Sequence, residues 1–287
     1  MRGTPVRLAA ALAAGSALAL GAVALGSTTH DAVRPAAAPT AATATATVSV
    51  PAVAAPDRSA PPSPAASSTP ALPLAGRVVA LDPGHTPSGG SSRQVPDGRG
   101  GTKACNTSGT ATAAGYPEHE FNYDVALRVR ERLQAQGATV LLTRDDDPEA
   151  VVCVDQRGTF AQDHGAEALV SIHGDGNDDP AVKGFFAIIS SPPLNEAQGA
   201  PSVELAEAVL ERLRAAGFTQ NSAYEGGISR RSDIAGVALA TKPVVMFELG
   251  EMRNPEEAAL MSSPDGRQRY AEAVANGVAD WLAAHPA

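Results

Sequence analysis

Cysteine is scarce in this chain: only Cys105 and Cys153 occur among its 287 residues. Neither lies in a Cys-x-x-Cys pair, which argues against a thiol-redox role. In an exported protein an even number of cysteines favours a disulfide, and two buried thiols are the alternative. We therefore predict a Cys105–Cys153 disulfide, provided that the chain is exported.

Basic residues are too few to balance the acidic ones. Residues 76–287 contain 18 Lys and Arg against 29 Asp and Glu, a net charge of −11. This charge argues against a nucleic-acid partner and against electrostatic attachment to anionic polymers. The chain also lacks internal repeats, which excludes a binding module built from repeated units.

Charge is absent from residues 8–25, LAAALAAGSALALGAVAL. This apolar run follows Arg2 and Arg7 and precedes small residues, an arrangement typical of a secretory signal. We predict a signal peptide at residues 1–31, with export to a periplasm, a cell wall or the extracellular space and no stable membrane span after cleavage. A retained membrane anchor is the alternative, because the run approaches the ~20 residues that a spanning helix needs.

The composition changes twice after the apolar run. Residues 32–75 are almost wholly Ala, Pro, Thr, Ser and Val, which predicts a disordered tether. Residues 76–287 have mixed charges, regular apolar periods and turn signals, and they are numerous enough for one globular domain. The sequence does not determine the oligomeric state, and we expect a monomer.

Strand and helix patterns alternate along this domain. Short apolar runs such as RVVALD, ATVLLTR, EALVSIH and KPVVMFELG predict strands, and periodic segments such as EFNYDVALRVRERLQAQG and SVELAEAVLERLRAAG predict helices. The alternation predicts an α/β domain in which helices flank both faces of a mostly parallel, mixed sheet. The run VKGFFAIIS follows a strand without an intervening helix, so we expect one antiparallel pairing.

Three predicted strands end in a side chain that can bind a metal or carry a proton: His85, His173 and Glu248. In open α/β sheets, sites form outside the carboxyl ends of the strands. If these strands are parallel and adjacent, the three side chains face one crevice.

Two histidines in one crevice suggest a metal. A catalytic zinc takes three protein ligands, often two His and one carboxylate. The segment GYPEHEF offers Glu118, His119 and Glu120 as candidates for the third ligand. Spacing alone does not choose among these three residues.

Four motifs in chain order resemble those of the zinc-dependent N-acetylmuramoyl-L-alanine amidases of the amidase-3 (AmiA/AmiC-type) family. They are DPGH at residues 82–85, a glutamate (Glu118) four residues before Asn122, SIH at residues 171–173, and a strand that ends at Glu248 with Asn-Pro shortly after it. The polar stretch between the first two motifs is similar to that of actinobacterial stand-alone periplasmic members. The resemblance covers essentially all of residues 76–287.

The resemblance implies a function and a site. One Zn²⁺ would be held by His85, Glu118 and His173, with Glu248 as the catalytic proton acceptor. The reaction would be hydrolysis of the amide between N-acetylmuramic acid and the L-Ala of the stem peptide. Peptidoglycan or muropeptide fragments would be the substrates, in wall remodelling, cell separation or fragment recycling. A degenerate binding module, a zinc peptidase that cuts within the stem, and a structural wall protein are the alternatives.

The chain departs from the family pattern at several positions. Asp175 stands where Asn is common, and the first motif continues with Thr86 and Pro87 in place of two glycines. The stretch at residues 86–117 predicts a long structureless loop, which the disulfide would pin to the domain.

For three further residues the sequence suggests candidate roles in the site. Asp175 and Arg231 are candidate substrate-binding residues, and a surface ion pair is the alternative for Arg231. Asp82 would either accept the second ring N–H of a ligand histidine or cap the turn that follows it.

Overall fold

The computed structural model describes residues 71–145, 147 and 149–286. The predicted signal peptide and most of the predicted tether lie outside the described residues. No helix in the described part of the chain is long and apolar enough to cross a membrane.

The folded part of the chain begins before the predicted boundary at Gly76. Leu74 is buried in the main hydrophobic core, and its N–H donates to the carbonyl of Gln136. The last residues assigned to the tether therefore pack on the domain. The composition did not predict this packing, because one buried leucine in an Ala/Pro-rich segment gives no periodic signal.

Eight strands and six α-helices are present in the described residues. The strands are β1 Val78–Pro83, β2 Ser91–Pro96, β3 Thr102–Asn106, β4 Thr139–Leu142, β5 Leu169–Asp175, β6 Phe186–Ser190, β7 Ile228–Arg231 and β8 Val244–Glu251. The helices are α1 Glu118–Ala135, α2 Val154–Asp163, α3 Ala200–Ala215, α4 Ala235–Ala238, α5 Pro255–Ser262 and α6 Pro264–Ala284.

Six of the strands form one mixed sheet in the order β4-β1-β5-β8-β6-β7. All neighbouring pairs are parallel except β6 and β8. The α/β class, the mostly parallel sheet and the single antiparallel pairing are thus confirmed. Strand β7 was not predicted, because ISRR is a short edge strand with two arginines and lacks the apolar run that marks a buried strand.

Helices cover both faces of the sheet, as predicted. On one face α1, α3 and α6 enclose the larger core; α1 contributes Phe121, Val125, Val129 and Leu133, four residues apart and fully buried. On the other face α2 and α4 enclose a smaller core that includes Leu169. Burial on both faces explains why the central strands consist almost entirely of apolar residues.

The register of the central strands aligns their carboxyl ends. Asp82 of β1 lies opposite Ser171 of β5, and His173 of β5 lies opposite Glu248 of β8. The ends of β1, β5 and β8 are therefore adjacent, as the crevice hypothesis requires.

The prediction of a structureless loop at residues 86–117 is wrong, because β2 and β3 form an antiparallel hairpin within it. At the tip, Asp97 accepts the N–H groups of Arg99 and Gly101 and closes the turn. The Asp97-Gly98 dipeptide was the available signal. The flanking runs SSRQVP and TKACN have too few apolar residues to suggest strands.

Three attachments hold this hairpin on the domain. A disulfide joins Cys105 of β3 to Cys153 at the start of α2. At the tip, the guanidinium of Arg99 donates to the hydroxyl of Ser190 and the carbonyl of Pro192. Between these points, Lys103 donates to a carbonyl of the β7–α4 loop. The hairpin therefore spans from α2 to the far side of the sheet.

Replacing both cysteines by serine should lower the free energy of unfolding by ~2–4 kcal/mol, because the cross-link restricts the unfolded chain. Urea denaturation of residues 71–287 would measure the loss. Reduction of the wild-type protein should give the same shift, since no other cysteine is present. Two titratable thiols in the exported, unreduced protein would contradict the pairing.

Candidate active site

His85 lies just beyond β1 in a left-handed backbone conformation, with φ of 59°. It is the only non-glycine residue with positive φ in the described part of the chain. Such conformations cost of order 1–3 kcal/mol and persist where the surroundings impose them. Here the ring Nδ1 is 2.8 Å from the carbonyl oxygen of Thr107. Because Nδ1 must donate to that oxygen, the Nε2 lone pair of His85 faces the crevice.

Glu118 opens α1, where a carboxylate is favoured by the helix dipole. This residue is only 3 % exposed. Asn122, one turn further along α1, donates to Oε1 at 3.1 Å and also to the carbonyl of Gly84. The N–H of Thr110, in the loop after the hairpin, donates to Oε2 at 2.9 Å. The carboxylate is therefore fixed from its own helix and from the hairpin loop.

His173 approaches Glu118 from β5. Its Nδ1 is 2.9 Å from Oε1 of Glu118, and Nε2 of His85 is 3.1 Å from Oε2. A Cβ at position 84 would lie 2.1–2.6 Å from the ring of His173, so only glycine fits there. This explains why the turn after β1 has glycine directly before His85.

The three side chains form a cluster that could hold a metal ion. One ligand atom from each of His85, Glu118 and His173 lies within 4.8 Å of the others. No other such group of three His, Cys, Asp or Glu side chains occurs among the residues that the structure describes. Two imidazoles and one carboxylate form a donor set suited to catalytic zinc.

The charge state of Glu118 also suits a metal ligand. Burial opposes its ionisation, but the hydrogen bonds with His173 and His85 outweigh burial and hold the pKa well below its usual range. A metal ligand must be deprotonated, and this carboxylate is ionised at neutral pH.

Glu248 lies beside the cluster, and its pKa is shifted in the opposite direction to that of Glu118. Its Oε2 is buried and has no hydrogen-bond partner in the protein. Burial raises the pKa of this carboxyl well above its usual range, and the charges of Glu118 and Asp175 raise it further. Two carboxyl groups whose pKa values are pushed apart are typical of a site that separates binding from proton transfer.

The chain matches known proteins over most of its length. Residues 79–280 match the N-acetylmuramoyl-L-alanine amidase family. The chain is 46 % identical over 223 residues to N-acetylmuramoyl-L-alanine amidase Rv3717 of Mycobacterium tuberculosis, which covers 76 % of this chain and 91 % of the relative.

This chain belongs to that amidase family.

Solved structures agree with this assignment. The crystal structure of the amidase Ami1 from Mycobacterium smegmatis superposes with a TM-score of 0.71 at 47 % identity, covering 74 % of this chain and all but 1 % of the other. A germination-specific amidase of Bacillus subtilis is 28 % identical, covering 72 % of this chain and 81 % of the relative. The family resemblance inferred from the four motifs is therefore confirmed.

Neither role expected for Asp82 in this amidase is observed. Its carboxylate binds Arg157 at 2.6 Å and accepts hydrogen bonds from Thr143 and Ser171 at 2.6 Å each. Asp82 is 2 % exposed, so its partners come from within the protein: Ser171 lies opposite it on β5, and Arg157 reaches it from α2. Arg157 also donates to the carbonyl of His85, so the ion pair holds the histidine loop.

The other predicted residues of the amidase site are placed as follows. Glu120 is exposed on α1, whereas Glu118 lies in the cluster. Arg231 forms a bidentate ion pair with Asp233, the arrangement given as its alternative. Asp175 ends β5 beside Glu251, whose pKa is raised to about 7 by burial and by the charge of Asp175. Direct roles for Arg231 and Asp175 in substrate binding remain predictions.

Three groups that shape this site were not predicted from the sequence. The carbonyl of Thr107 and the N–H of Thr110 are backbone groups, so their side chains carry no signal. Arg157 belongs to α2, where an arginine normally indicates a solvent-facing position, yet it is 3 % exposed. Its burial is explained only by the tertiary contact with Asp82.

Asp82→Asn should destabilise the amidase by ~3–5 kcal/mol at neutral pH, because it leaves Arg157 buried without its counter-ion. Burial opposes ionisation of Asp82, but the charge of Arg157 outweighs it, with Ser171 and Thr143 adding to the effect, and the pKa falls to about 2. That value lies below the ~3.9 of an unfolded Asp. The stability contribution of Asp82 is therefore complete above about pH 5 and is lost as the pH falls towards 2.

Urea denaturation of the wild type and Asp82→Asn between pH 7 and pH 3 would test this. The difference between their free energies of unfolding should become smaller as the pH falls. Asp280→Asn is the control, because its pair with Arg212 is exposed and is worth at most ~1 kcal/mol. If the loss of unfolding free energy in Asp82→Asn is constant with pH, or no larger than the loss in Asp280→Asn, then the stabilising role of the Asp82–Arg157 pair is contradicted.

Proposed function

We propose that this protein is a zinc-dependent amidase that cleaves the bond between N-acetylmuramic acid and the L-Ala of the peptidoglycan stem peptide. One observation carries the proposal: His85, Glu118 and His173 converge beside the unpartnered carboxyl oxygen of Glu248. Family membership and the names of the relatives support the choice of substrate.

The proposed metal ligands are His85 through Nε2, His173 through Nδ1, and Glu118. The carbonyl of Thr107 fixes the ring of His85, and Asn122 with Thr110 fixes Glu118. Such outer partners orient ligands and maintain their protonation states. When bound, Zn²⁺ supplies a Lewis acid that polarises the amide carbonyl and lowers the pKa of water.

Glu248 is the proposed proton carrier. An amide resists attack by neutral water, so a base must remove a proton as the water oxygen bonds to the carbonyl carbon. Oε2 of Glu248 would accept that proton and deliver it to the alanine nitrogen as the C–N bond breaks. Burial raises the pKa of this carboxyl, which makes it a stronger base towards the proton of the water.

The substrate is proposed to be peptidoglycan or soluble muropeptide fragments in an exported compartment. The signal-like sequence at residues 1–31 supports export. Several relatives are named "Probable cell wall amidase", including LytH of Staphylococcus aureus, which is 25 % identical over 74 % of this chain and 60 % of the relative. The absence of sequence repeats favours fragments or a recruiting partner over direct anchoring to the wall.

The loaded protein should contain about one zinc per chain by elemental analysis. His173→Ala should lose most of this zinc on dialysis against a weak chelator, because only two ligands remain. His164→Ala is the control: this histidine is exposed at the end of α2 and should leave the zinc content unchanged. Equal zinc in both variants would overturn the ligand assignment.

Glu248→Gln should reduce turnover of muropeptides by ~10²–10⁴-fold, the usual contribution of a positioned acid–base group. Its zinc content should stay near that of the wild type, because the three proposed ligands are intact. Mass spectrometry would follow the product, a whole stem peptide with a free L-Ala amine.

Two further variants distinguish a base from a ligand. Glu118→Gln should lose both zinc and turnover, and the exposed Glu120→Gln should lose neither. If Glu248→Gln loses zinc as readily as Glu118→Gln, then Glu248 is a ligand. If it retains turnover, the hydrolytic mechanism fails.

A further inference from the structure

A cavity of about 230 Å³ adjoins the candidate metal cluster and extends beneath the hairpin. His85, His173 and Glu248 lie at one side of it, and Ala104 of β3 and Ala235 of α4 line it further along. The cavity is smaller than the ~300–1,000 Å³ of typical ligand sites, so a short peptide fits it better than a polymer.

Two basic side chains line this cavity, Arg157 and Lys103, and they differ in their partners. The guanidinium of Arg157 is bound to Asp82 and to backbone carbonyls. Lys103 of β3 instead donates through Nζ to the backbone carbonyl of Asp233, at 2.6 Å. The Asp233 carboxylate is occupied by Arg231 through both oxygens.

Lys103 therefore makes no direct carboxylate contact among the described residues, and the charges of Asp97 and Asp233 act on it from further away. An ammonium group has three donors, and the backbone carbonyl uses one of them. The hydrogen bond lies at the solvent-accessible side of the hairpin, so a ligand can reach the other two. A fixed cation at the edge of a largely apolar cavity is suited to bind one anionic group of a substrate.

The chemistry of the stem peptide supplies such a group close to the scissile bond. The residue after L-Ala is a glutamate that continues the peptide through its side chain, which leaves its α-carboxyl group either free or amidated. The glycan, by contrast, extends from both sides of the muramic acid and needs an open channel. The peptide side of the substrate is therefore the better match for the cavity.

We propose that Lys103 is a specificity-determining residue that binds the free α-carboxylate of the second stem residue. This inference rests on the proposed amidase function and extends it to substrate selection. The enzyme should then favour stems with a free carboxylate over stems that carry a carboxamide at that position.

The test uses two muramyl dipeptide substrates that differ only in this group, N-acetylmuramyl-L-Ala-D-isoglutamate and its isoglutamine counterpart. The zinc-loaded wild type should have a kcat/KM about 5–20-fold higher for the carboxylate, mainly through KM, as expected for one charge-assisted hydrogen bond at a partly exposed site. Lys103→Gln keeps a donor for the Asp233 carbonyl but removes the charge, so its ratio should fall to about 1. Lys103→Arg should restore the preference in part.

Lys242→Met is the matched control. This exposed lysine precedes β8, at the opposite end of the strand from Glu248, so its loss should leave the ratio unchanged. Equal wild-type rates on the two substrates, or an unchanged ratio in Lys103→Gln, would overturn the role of Lys103 alone. If the wild type cleaves neither substrate, the proposed function itself fails.

Discussion

The parallel pairing of β5 with β1 on one side and β8 on the other is the constraint on which the site depends. Side chains alternate between the two faces of a strand, so residues two apart share a face. Leu169 and Val244 belong to the core beneath α2 and α4, and His173 and Glu248 lie four residues further along the same two strands. Both functional side chains therefore project towards the hairpin side of the sheet. A slip of one residue in this register would place one of them among the apolar residues of the other core.

At this end of the sheet, the neighbours of two nearby carboxyl groups, Glu118 and Glu248, shift their pKa values in opposite directions. Glu118 meets two imidazoles, an amide and two backbone N–H groups, which together stabilise its charge despite burial. Glu248 is buried near other carboxylates, and its Oε2 has no donor, so its pKa is raised and it is the stronger base of the two. Sequence position alone would not distinguish them. The division of roles comes from the groups that the fold brings to each side chain.

The sequence could predict the parts of this arrangement that are set locally. Apolar runs located β1, β5 and β8, and the strand-end rule placed His85, His173 and Glu248 together. What it missed depends on contacts between distant segments. The partners of Asp82 come from the residue after β4, from α2 and from β5. The hairpin is held by a disulfide and by Arg99 and Lys103 more than by its own apolar residues. Such elements have weak local patterns because their stability comes from elsewhere in the fold.

The hairpin also resolves an electrostatic difficulty. With a net charge of −11 on residues 76–287, the domain as a whole repels an anionic substrate. Salt screens charges beyond about 8 Å at physiological ionic strength, so most of that repulsion is weak at the crevice. The groups nearest a bound substrate then dominate, and under the proposal for Lys103 they include this lysine and the candidate cation site. By carrying Lys103 to the edge of the cavity, the hairpin adds one positive charge beside a site that is otherwise rich in carboxylates. Recognition of an anionic group would thus depend on where a few charges are placed rather than on their sum.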